Sequence, residues 1–484
     1  MTRPSNRLLL GFLLVALTAC GGGEDDAPPP NIVLVVLDTV RADHVSCYGY
    51  GRETTPHLDA LAESATRYTS VRATGPWTLP SHASMFTGRF AFQHRADSLQ
   101  NEEGQWRELP LKEEHTTLAE ALGGIGYRTG GFAANTGYLR TEFQLDQGFD
   151  RYEVEREPGV VLNTRALAWL DESDGPFFLF LNYMDAHRPY NTQALPEGRL
   201  ADVPCDGSVP SERLLDRLIG VVLRDGKPAP PKLQAQVTAC YDLGIANADL
   251  AVGELVAELR RRGLYEDTLL IVTSDHGEYL GEHGLVEHSK DVYEPALHVP
   301  LVLKQPGGTA GAVDESLLSL ADLPRLVAGG LPGPLRDELH AHFPLLLERD
   351  FTLAEISLSR ERDMRSSYAA RFRRQRQAYY ADGHKLILST DGQHELYDLA
   401  VDPDETMNLY ETRAPLAQTL TAALEAYVAE HPAEFAAGEA PEFDAAAMQA
   451  LIDLGYAGEE EGDGAERADD AEQRPAGPGK PNSE

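Results

Sequence analysis

Apolar and polar residues fall in blocks along this chain, and three of the blocks are apolar almost throughout. Ile32-Val33-Leu34-Val35-Val36-Leu37 runs into Asp38. Phe177-Phe178-Leu179-Phe180-Leu181 leads through Asn182-Tyr183-Met184 to Asp185-Ala186-His187. Leu269-Leu270-Ile271-Val272-Thr273-Ser274 ends at Asp275-His276-Gly277. Runs without alternation are what strands of a parallel sheet covered on both faces require. Between them, 55–64, 116–122, 163–170 and 246–262 place apolar residues at three- and four-residue spacing, which predicts helices. Strand and helix thus alternate, the pattern of an α/β domain. Ligands bind at the carboxyl ends of the strands in such sheets. Three strand ends carrying Asp, or Asp with His, therefore predict one site assembled from distant segments.

The pattern changes elsewhere. Residues 191–236 hold Pro196, Pro204, Pro210, Pro228, Pro230 and Pro231 and read as a loop-rich insertion placed like a lid over the site. From about Phe351, short strands at 377–380, 385–388 and 395–399 are separated by Ala381-Asp382-Gly383 and Thr390-Asp391-Gly392, which read as hairpin turns. A helix over 415–430 follows, giving a small α+β C-terminal subdomain over 350–457. Residues 458–484 are Glu, Asp, Gly and Pro with almost no apolar content, the composition of a disordered acidic tail. The core of the α/β domain is expected over 31–345.

The N-terminus is a targeting segment. Arg3 and Arg7 precede the apolar run Leu8 to Leu17, too short to span a bilayer and fit for a signal-peptide core. Leu17-Thr18-Ala19-Cys20 resembles a bacterial lipobox. That resemblance implies a signal peptide over 1–20, lipidation at Cys20, and an exported lipoprotein anchored to a membrane through its lipid. Residues 21–30, rich in Gly and Pro, read as a flexible tether.

Composition narrows the function. The formal net charge of -35 excludes a nucleic-acid partner, which needs a basic face. Besides Cys20, only Cys47, Cys205 and Cys240 are present, allowing one bridge and one free thiol; Cys205 and Cys240 are a pair that could close the insertion.

The segment Trp77-Thr78-Leu79-Pro80-Ser81-His82, continuing to Ala83-Ser84-Met85-Phe86-Thr87-Gly88, carries the chemistry. Pro80 fits the first helical position and Gly88 the C-terminal stop. Thr78 then lies at the helix mouth, where it either caps the helix or faces an anion drawn to the free N–H groups. A threonine hydroxyl becomes a useful nucleophile only when a base or metal lowers its pKa. Asp38, Thr78, Asp275 and His276 make a four-ligand set of hard oxygens and one imidazole. That set suits Zn²⁺ or Mn²⁺, with Mg²⁺ or Ca²⁺ as alternatives and one or two ions.

These segments resemble the sulfatase family within the alkaline phosphatase superfamily, over about Asn31 to Tyr456. Asn31 through Asp38-Thr39-Val40-Arg41-Ala42-Asp43-His44 is similar to its first metal-ligand segment, and Thr78-Leu79-Pro80-Ser81-His82 through Arg89 to its active-site motif. Thr273-Ser274-Asp275-His276-Gly277-Glu278 with Gly281-Glu282-His283-Gly284 is similar to the second ligand segment. Gly383-His384-Lys385-Leu386-Ile387 with Glu395-Leu396-Tyr397-Asp398-Leu399 and Asp402 to Leu409 is similar to its C-terminal hairpin. The resemblance implies a mixed, mostly parallel sheet sandwiched by helices, a divalent metal and an anionic ester substrate.

Two departures change what it implies. Family sulfatases carry Cys or Ser, oxidised to formylglycine, at the first motif position and Arg at the fifth; here these are Thr78 and His82. An oxidised threonine is a methyl ketone, which hydrates poorly, so the geminal diol that releases sulfate is out of reach. A phosphothreonine has an exit, because activated water can attack phosphorus. Likewise Thr39 stands where many sulfatases have a second Asp, and His276 where many have Asn. The expectation is a metal-dependent hydrolase or transferase acting through Thr78 on phosphoesters or phosphonate esters. The alternatives are a true sulfuric ester hydrolase and a non-catalytic lipoprotein that binds an anionic glycan.

Further candidates follow from Asp185-Ala186-His187-Arg188-Pro189-Tyr190, which resembles a family segment touching the transferred group or a second metal. Asp185, His187, His288 and Lys290 are the candidates for that role. Asp43 and His44 are expected to support the site without entering it, and helical spacing turns Ser81 and Ser84 away from the mouth.

Overall fold

The computed structural model describes residues 28–453 apart from 101–105, 173, 194, 196–199, 201–202, 206, 344–347, 358–368 and 442. The expected signal peptide, lipidation site Cys20, most of the tether and the acidic tail lie outside the described residues.

Eight strands form the main sheet: β1 (Asn31–Leu37), β2 (Thr66–Arg72), β3 (Arg128–Ala133), β4 (Arg151–Val154), β5 (Phe177–Tyr183), β6 (Thr268–Thr273), β7 (His298–Lys304) and β8 (Ala312–Ser319). Their order is β8-β2-β7-β6-β1-β5-β3-β4. Only β7 runs against its neighbours, β2 and β6; the other pairs are parallel. The three apolar runs are the adjacent central strands β6, β1 and β5, buried along their whole length. The edge strands β4 and β8 are partly exposed, as strands with one covered face should be.

Helices flank this sheet. The first of three that concern the site is α1 (Thr78–Thr87), every residue of which is buried. The second, α2 (Pro231–Arg261), is 31 residues long and packs with the helix Gly159–Leu170. It begins about fifteen residues earlier than its apolar spacing predicts. The proline-rich approach read as loop, yet Pro231 sits in the first turn, where a missing N–H is harmless. The insertion also contains the helix Ser211–Ile219, and its Cys205 is disulfide-bonded to Cys240 of α2. Cys47 is a free thiol. Among the described residues no helix is long and apolar enough to cross a membrane.

A second, wholly antiparallel sheet follows: β9 (Phe351–Ile356), β10 (Arg376–Ala381), β11 (His384–Ser389) and β12 (Glu395–Asp398), in that order. Asp382 and Gly383 both take positive φ between β10 and β11, the geometry of a tight hairpin. Leu353, Tyr379, Leu386 and Leu396 on one face pack against Leu420 and Leu424 of the third helix, α3 (Ala414–Glu430). The α/β fold and its small α+β appendage are therefore as the sequence patterns predict.

Candidate active site

Register brings the strand ends level. Leu37 of β1 lies opposite Tyr183 of β5, and Val36 opposite Thr273 of β6. Asp38 extends the ladder by donating its N–H to Tyr183 O (2.9 Å), so Asp38 and Asp275 emerge side by side. Ligand atoms of Asp38, Asp275 and His276 all lie within 4.8 Å of one another, and all three residues are buried.

Each group is aimed by its own contacts. Asp38 Oδ2 accepts from Asn135 Nδ2 (3.0 Å) and Asn182 Nδ2 (3.2 Å), which leaves Oδ1 buried with no partner. Asp275 Oδ1 accepts from the backbone N–H groups of Thr39 (3.2 Å) and His276 (3.0 Å), and its Oδ2 is likewise unpartnered. His276 Nδ1 is 2.9 Å from Gly277 O, which fixes Nδ1 as the N–H and presents Nε2 to the carboxylates. Gly277 permits the tight path: a Cβ there would meet Pro295 O at 2.1 Å.

The electrostatics suit a cation. Burial, then the Asp275 charge, pushes the Asp38 carboxyl up to about 7. Burial does the same to Asp275 against its hydrogen bonds, again to about 7. Two buried carboxyls with inward-facing, unpartnered oxygens fit a divalent metal, which would keep both ionised.

Thr78 is the first helical residue of α1, not its cap; Trp77 holds the cap position without a side-chain bond. Pro80 is therefore at the third helical position instead of the first, still among the residues whose N–H has no intrahelical partner. Gly88 ends the helix at φ 67°. Thr78 Oγ1 accepts from Asn135 Nδ2 at 3.2 Å. The hydroxyl also lies against Asp275, favouring its ionised form without completing a well-aligned bond. Ser81 and Ser84 point away, Ser81 to Gly75 O (2.9 Å) and Ser84 to His94 Nε2 (3.0 Å).

His82 donates from Nδ1 to Thr78 O at 3.0 Å, and that nitrogen is 3.6 Å from Asp275 Oδ2. Burial holds its pKa down to about 3, so the ring is neutral. No positive charge stands where a guanidinium would compensate the carboxylates. Thr39 takes φ 65°, an outlying conformation for a β-branched residue that stores about 1–3 kcal/mol. Its hydroxyl is 2.6 Å from Asp38 O and 3.0 Å from Ala186 O, so this position contributes a backbone donor and no ligand oxygen.

The secondary candidates divide. His288 lies tilted against His276 with ring centres 4.7 Å apart and against His187 at 5.1 Å. His288 Nδ1 is 3.3 Å from Glu278 Oε1, and His187 Nδ1 is 2.7 Å from Arg188 O. Lys290 Nζ reaches Glu287 Oε2 at 3.4 Å, and Glu287 also pairs with Arg188. Asp185 is placed differently. Its Oδ1 accepts from Asn191 Nδ2 (2.6 Å) and its Oδ2 from Gly159 N (3.0 Å), so one oxygen holds a neighbouring side chain and the other pins backbone. Asp43 and His44 also stay outside, Asp43 pairing with Arg41 and His44 with Asp242.

Asn135 and Asn182 were not singled out by the sequence reading. Asn182 was on the page as a polar residue ending an apolar strand. Asn135 had no such signal, because β3 reads Arg-Thr-Gly-Gly-Phe-Ala. Those glycines are required by packing: a Cβ on Gly130 would meet the Trp169 ring at 2.8 Å, and one on Gly131 the Tyr152 ring at 2.5 Å.

Fold and site together define an ester hydrolase of the alkaline phosphatase superfamily. The sulfatase family model matches residues 30–329, and the chain belongs to that family. It is 28% identical over 476 residues to arylsulfatase A of Homo sapiens, covering 85% of this chain and 91% of that protein. It is 27% identical over 421 residues to the multifunctional alkaline phosphatase superfamily protein PehA of Trinickia caryophylli, covering 65% of this chain and 80% of the relative. Among solved structures, the phosphonate monoester hydrolase of Agrobacterium radiobacter superposes with a TM-score of 0.63 at 22% identity, covering 83% of this chain and 96% of the other.

Proposed function

We propose that the protein is a metal-dependent phosphoesterase or phosphonate-ester hydrolase in which Thr78 is the nucleophile. The observation that carries this reading is Thr78 itself: a fully buried hydroxyl at a helix N-terminus, beside Asp38, Asp275 and His276. Asp38 Oδ1, Asp275 Oδ2, His276 Nε2 and Thr78 Oγ1 would hold the metal, and one imidazole among oxygens favours Zn²⁺ or Mn²⁺. When bound, the metal supplies Lewis-acid polarisation and stabilises negative charge on the transferred group.

The remaining chemistry belongs to the chain. The free N–H groups of α1 face the anion. The Thr78 hydroxyl gives up its proton on the Asp275 side as its oxygen bonds to phosphorus. The ester's bond to its leaving oxygen breaks with the electron pair on that oxygen, which takes a proton, and a phosphothreonine remains. Water then attacks phosphorus, returns the hydroxyl to Thr78 and completes hydrolysis; an acceptor alcohol in place of water would give transfer. His187, His288 and Lys290 would line the substrate side. The similarity to PehA and the phosphonate monoester hydrolase agrees with phosphorus chemistry, whereas that to arylsulfatase A favours a sulfate ester as the rival substrate.

We further propose export and lipid anchoring at Cys20, consistent with a Cys205–Cys240 disulfide, which persists in oxidising compartments. The deciding experiment is a panel of 4-nitrophenyl phosphate, bis(4-nitrophenyl) phosphate, a phenylphosphonate monoester and 4-nitrophenyl sulfate on metal-reconstituted enzyme. A phosphorus substrate is expected to turn over fastest, with the corresponding phosphoryl or phosphonyl group trapped on Thr78 by acid quench. Fastest turnover of the sulfate, or full activity of Thr78→Ala, would overturn the reading.

A further inference from the structure

We propose that Asn135 is the positioning residue that aims the Thr78 hydroxyl, binding nucleophile and metal-side carboxylate through a single amide. This rests on the nucleophilic role of Thr78 given above. Asn135 is fully buried just beyond β3. Its Nδ2 has two hydrogens: one goes to Asp38 Oδ2 at 3.0 Å and the other to Thr78 Oγ1 at 3.2 Å. Its Oδ1 accepts from the backbone N–H groups of Gly137 and Tyr138, each at 3.0 Å. That pair fixes the amide's orientation, because a flip would set its oxygen against a carboxylate and its NH₂ against two donors.

The consequence is directional. In the metal-free protein the hydroxyl hydrogen is turned toward the Asp275 side; once it is lost, one lone pair of Oγ1 stays with the amide, one faces the carboxylates and one faces outward for attack. When Oγ1 has lost its proton and is not yet fully bonded to phosphorus, the Asn135 N–H stabilises the charge it carries. The same N–H serves again in the second step, when the Oγ1–phosphorus bond breaks and its electron pair returns to Oγ1. A fixed donor to an oxygen that gains charge in the transition state contributes about 10²- to 10³-fold to rate.

The fold supplies a control. Asn182, at the end of β5, donates to the same Asp38 oxygen at 3.2 Å, and its own oxygen accepts from Asn135 N at 3.1 Å. The hydrogen bonds of its side chain go to Asp38 and to the Asn135 backbone. Asn182 therefore orients the carboxylate alone, whereas Asn135 orients carboxylate and nucleophile together.

The test compares Asn135→Ala with Asn182→Ala in the full-length, metal-reconstituted enzyme. Steady-state kinetics on bis(4-nitrophenyl) phosphate are read beside metal stoichiometry by elemental analysis and the acid-trapped 4-nitrophenyl ester of phosphothreonine. For Asn135→Ala, kcat and kcat/KM are expected to fall together by about 10²-fold, with KM nearly unchanged and metal bound as in wild type. For Asn182→Ala, metal affinity is expected to weaken by about 10-fold, with kcat per bound metal nearly unchanged. The inference is overturned if Asn135→Ala loses metal but keeps its kcat per bound metal, or if the two variants behave alike. Should Asn135→Ala fail to fold, Asn135→Ser, which keeps an oxygen near Gly137 and Tyr138, is read by the same criteria. Thr78→Ala separates the two levels: its full activity would remove the nucleophile reading itself. An inactive Thr78→Ala beside a fully active Asn135→Ala would remove only this inference.

Discussion

Two buried charged clusters in this protein are built on opposite rules. In the strand-end cradle, Asp38 and Asp275 take hydrogen bonds only from amides and backbone, and the nearby His82 is neutral. At the junction with the small sheet, Arg376 is almost completely buried and reaches Asp291 Oδ1 at 2.6 Å and also Glu395, while Arg374 holds Asp291 Oδ2 at 2.9 Å. Burial works against the Arg376 charge, yet Asp291, Tyr293 and Glu395 outweigh it and keep it ionised. The second cluster supplies its own counter-charges and is structural. The first leaves two carboxylates unbalanced, which a fold tolerates where a ligand completes the site.

The comparison breaks most visibly through substitution of opposite partners. Asp275→Asn should abolish metal retention and lower turnover by about 10³-fold or more. The same change should stabilise the metal-free protein by about 1 kcal/mol, because it removes an unbalanced buried charge. Arg376→Ala should do the reverse to stability, costing about 3–5 kcal/mol by stranding Asp291 and Glu395. Elemental analysis and denaturant melts in EDTA read both. Were Asp275→Asn to destabilise the metal-free protein as strongly as Arg376→Ala does, the two clusters would not differ in kind.

A pH series sharpens the same contrast with a smaller effect. In the metal-free protein Asp38 and Asp275 bind protons up to about 7, against the ordinary aspartate value of 3.8 when unfolded. The folded state then carries more protons between those limits, so stability falls as pH rises from about 4 to about 7. The metal-loaded protein, with both carboxylates already ionised, should lack that slope. The added stability from metal should therefore grow with pH, read as the difference in melting temperature at about pH 5 and about pH 8 with and without metal. A metal-induced shift that is the same at both pH values would contradict the picture.

What the sequence could convey follows from the same physics. β1, β5 and β6 were legible because both faces are buried, so nearly every position is apolar and the polar residues that follow the run mark the strand end. Asp38, Asp275 and His276 were found by that rule, and Thr78 by the Pro80 and Gly88 signals around its helix. β3 was not legible, since Gly130 and Gly131 make room for Trp169 and Tyr152 and leave no apolar run to end at Asn135. The partition of His187 and Asp185 was equally hidden. They sit two residues apart in one polar segment, and only the Asn191 and Gly159 contacts turn Asp185 away.

Asp185 gives the smallest effect and the finest division between cradle and scaffold. Burial raises its pKa against the bonds from Asn191 and Gly159, so it resembles a cradle carboxylate by electrostatics alone. Geometry separates them, because both its oxygens are engaged where Asp38 and Asp275 each keep one unpartnered. Asp185→Asn retains one acceptor oxygen for Gly159 N and replaces the other with an amide facing the Asn191 side chain. The expected result is about 1–2 kcal/mol of lost stability, with kcat and metal content nearly unchanged. Loss of metal in this variant, at preserved stability, would move Asp185 from the scaffold into the site and add a third carboxylate to the cradle.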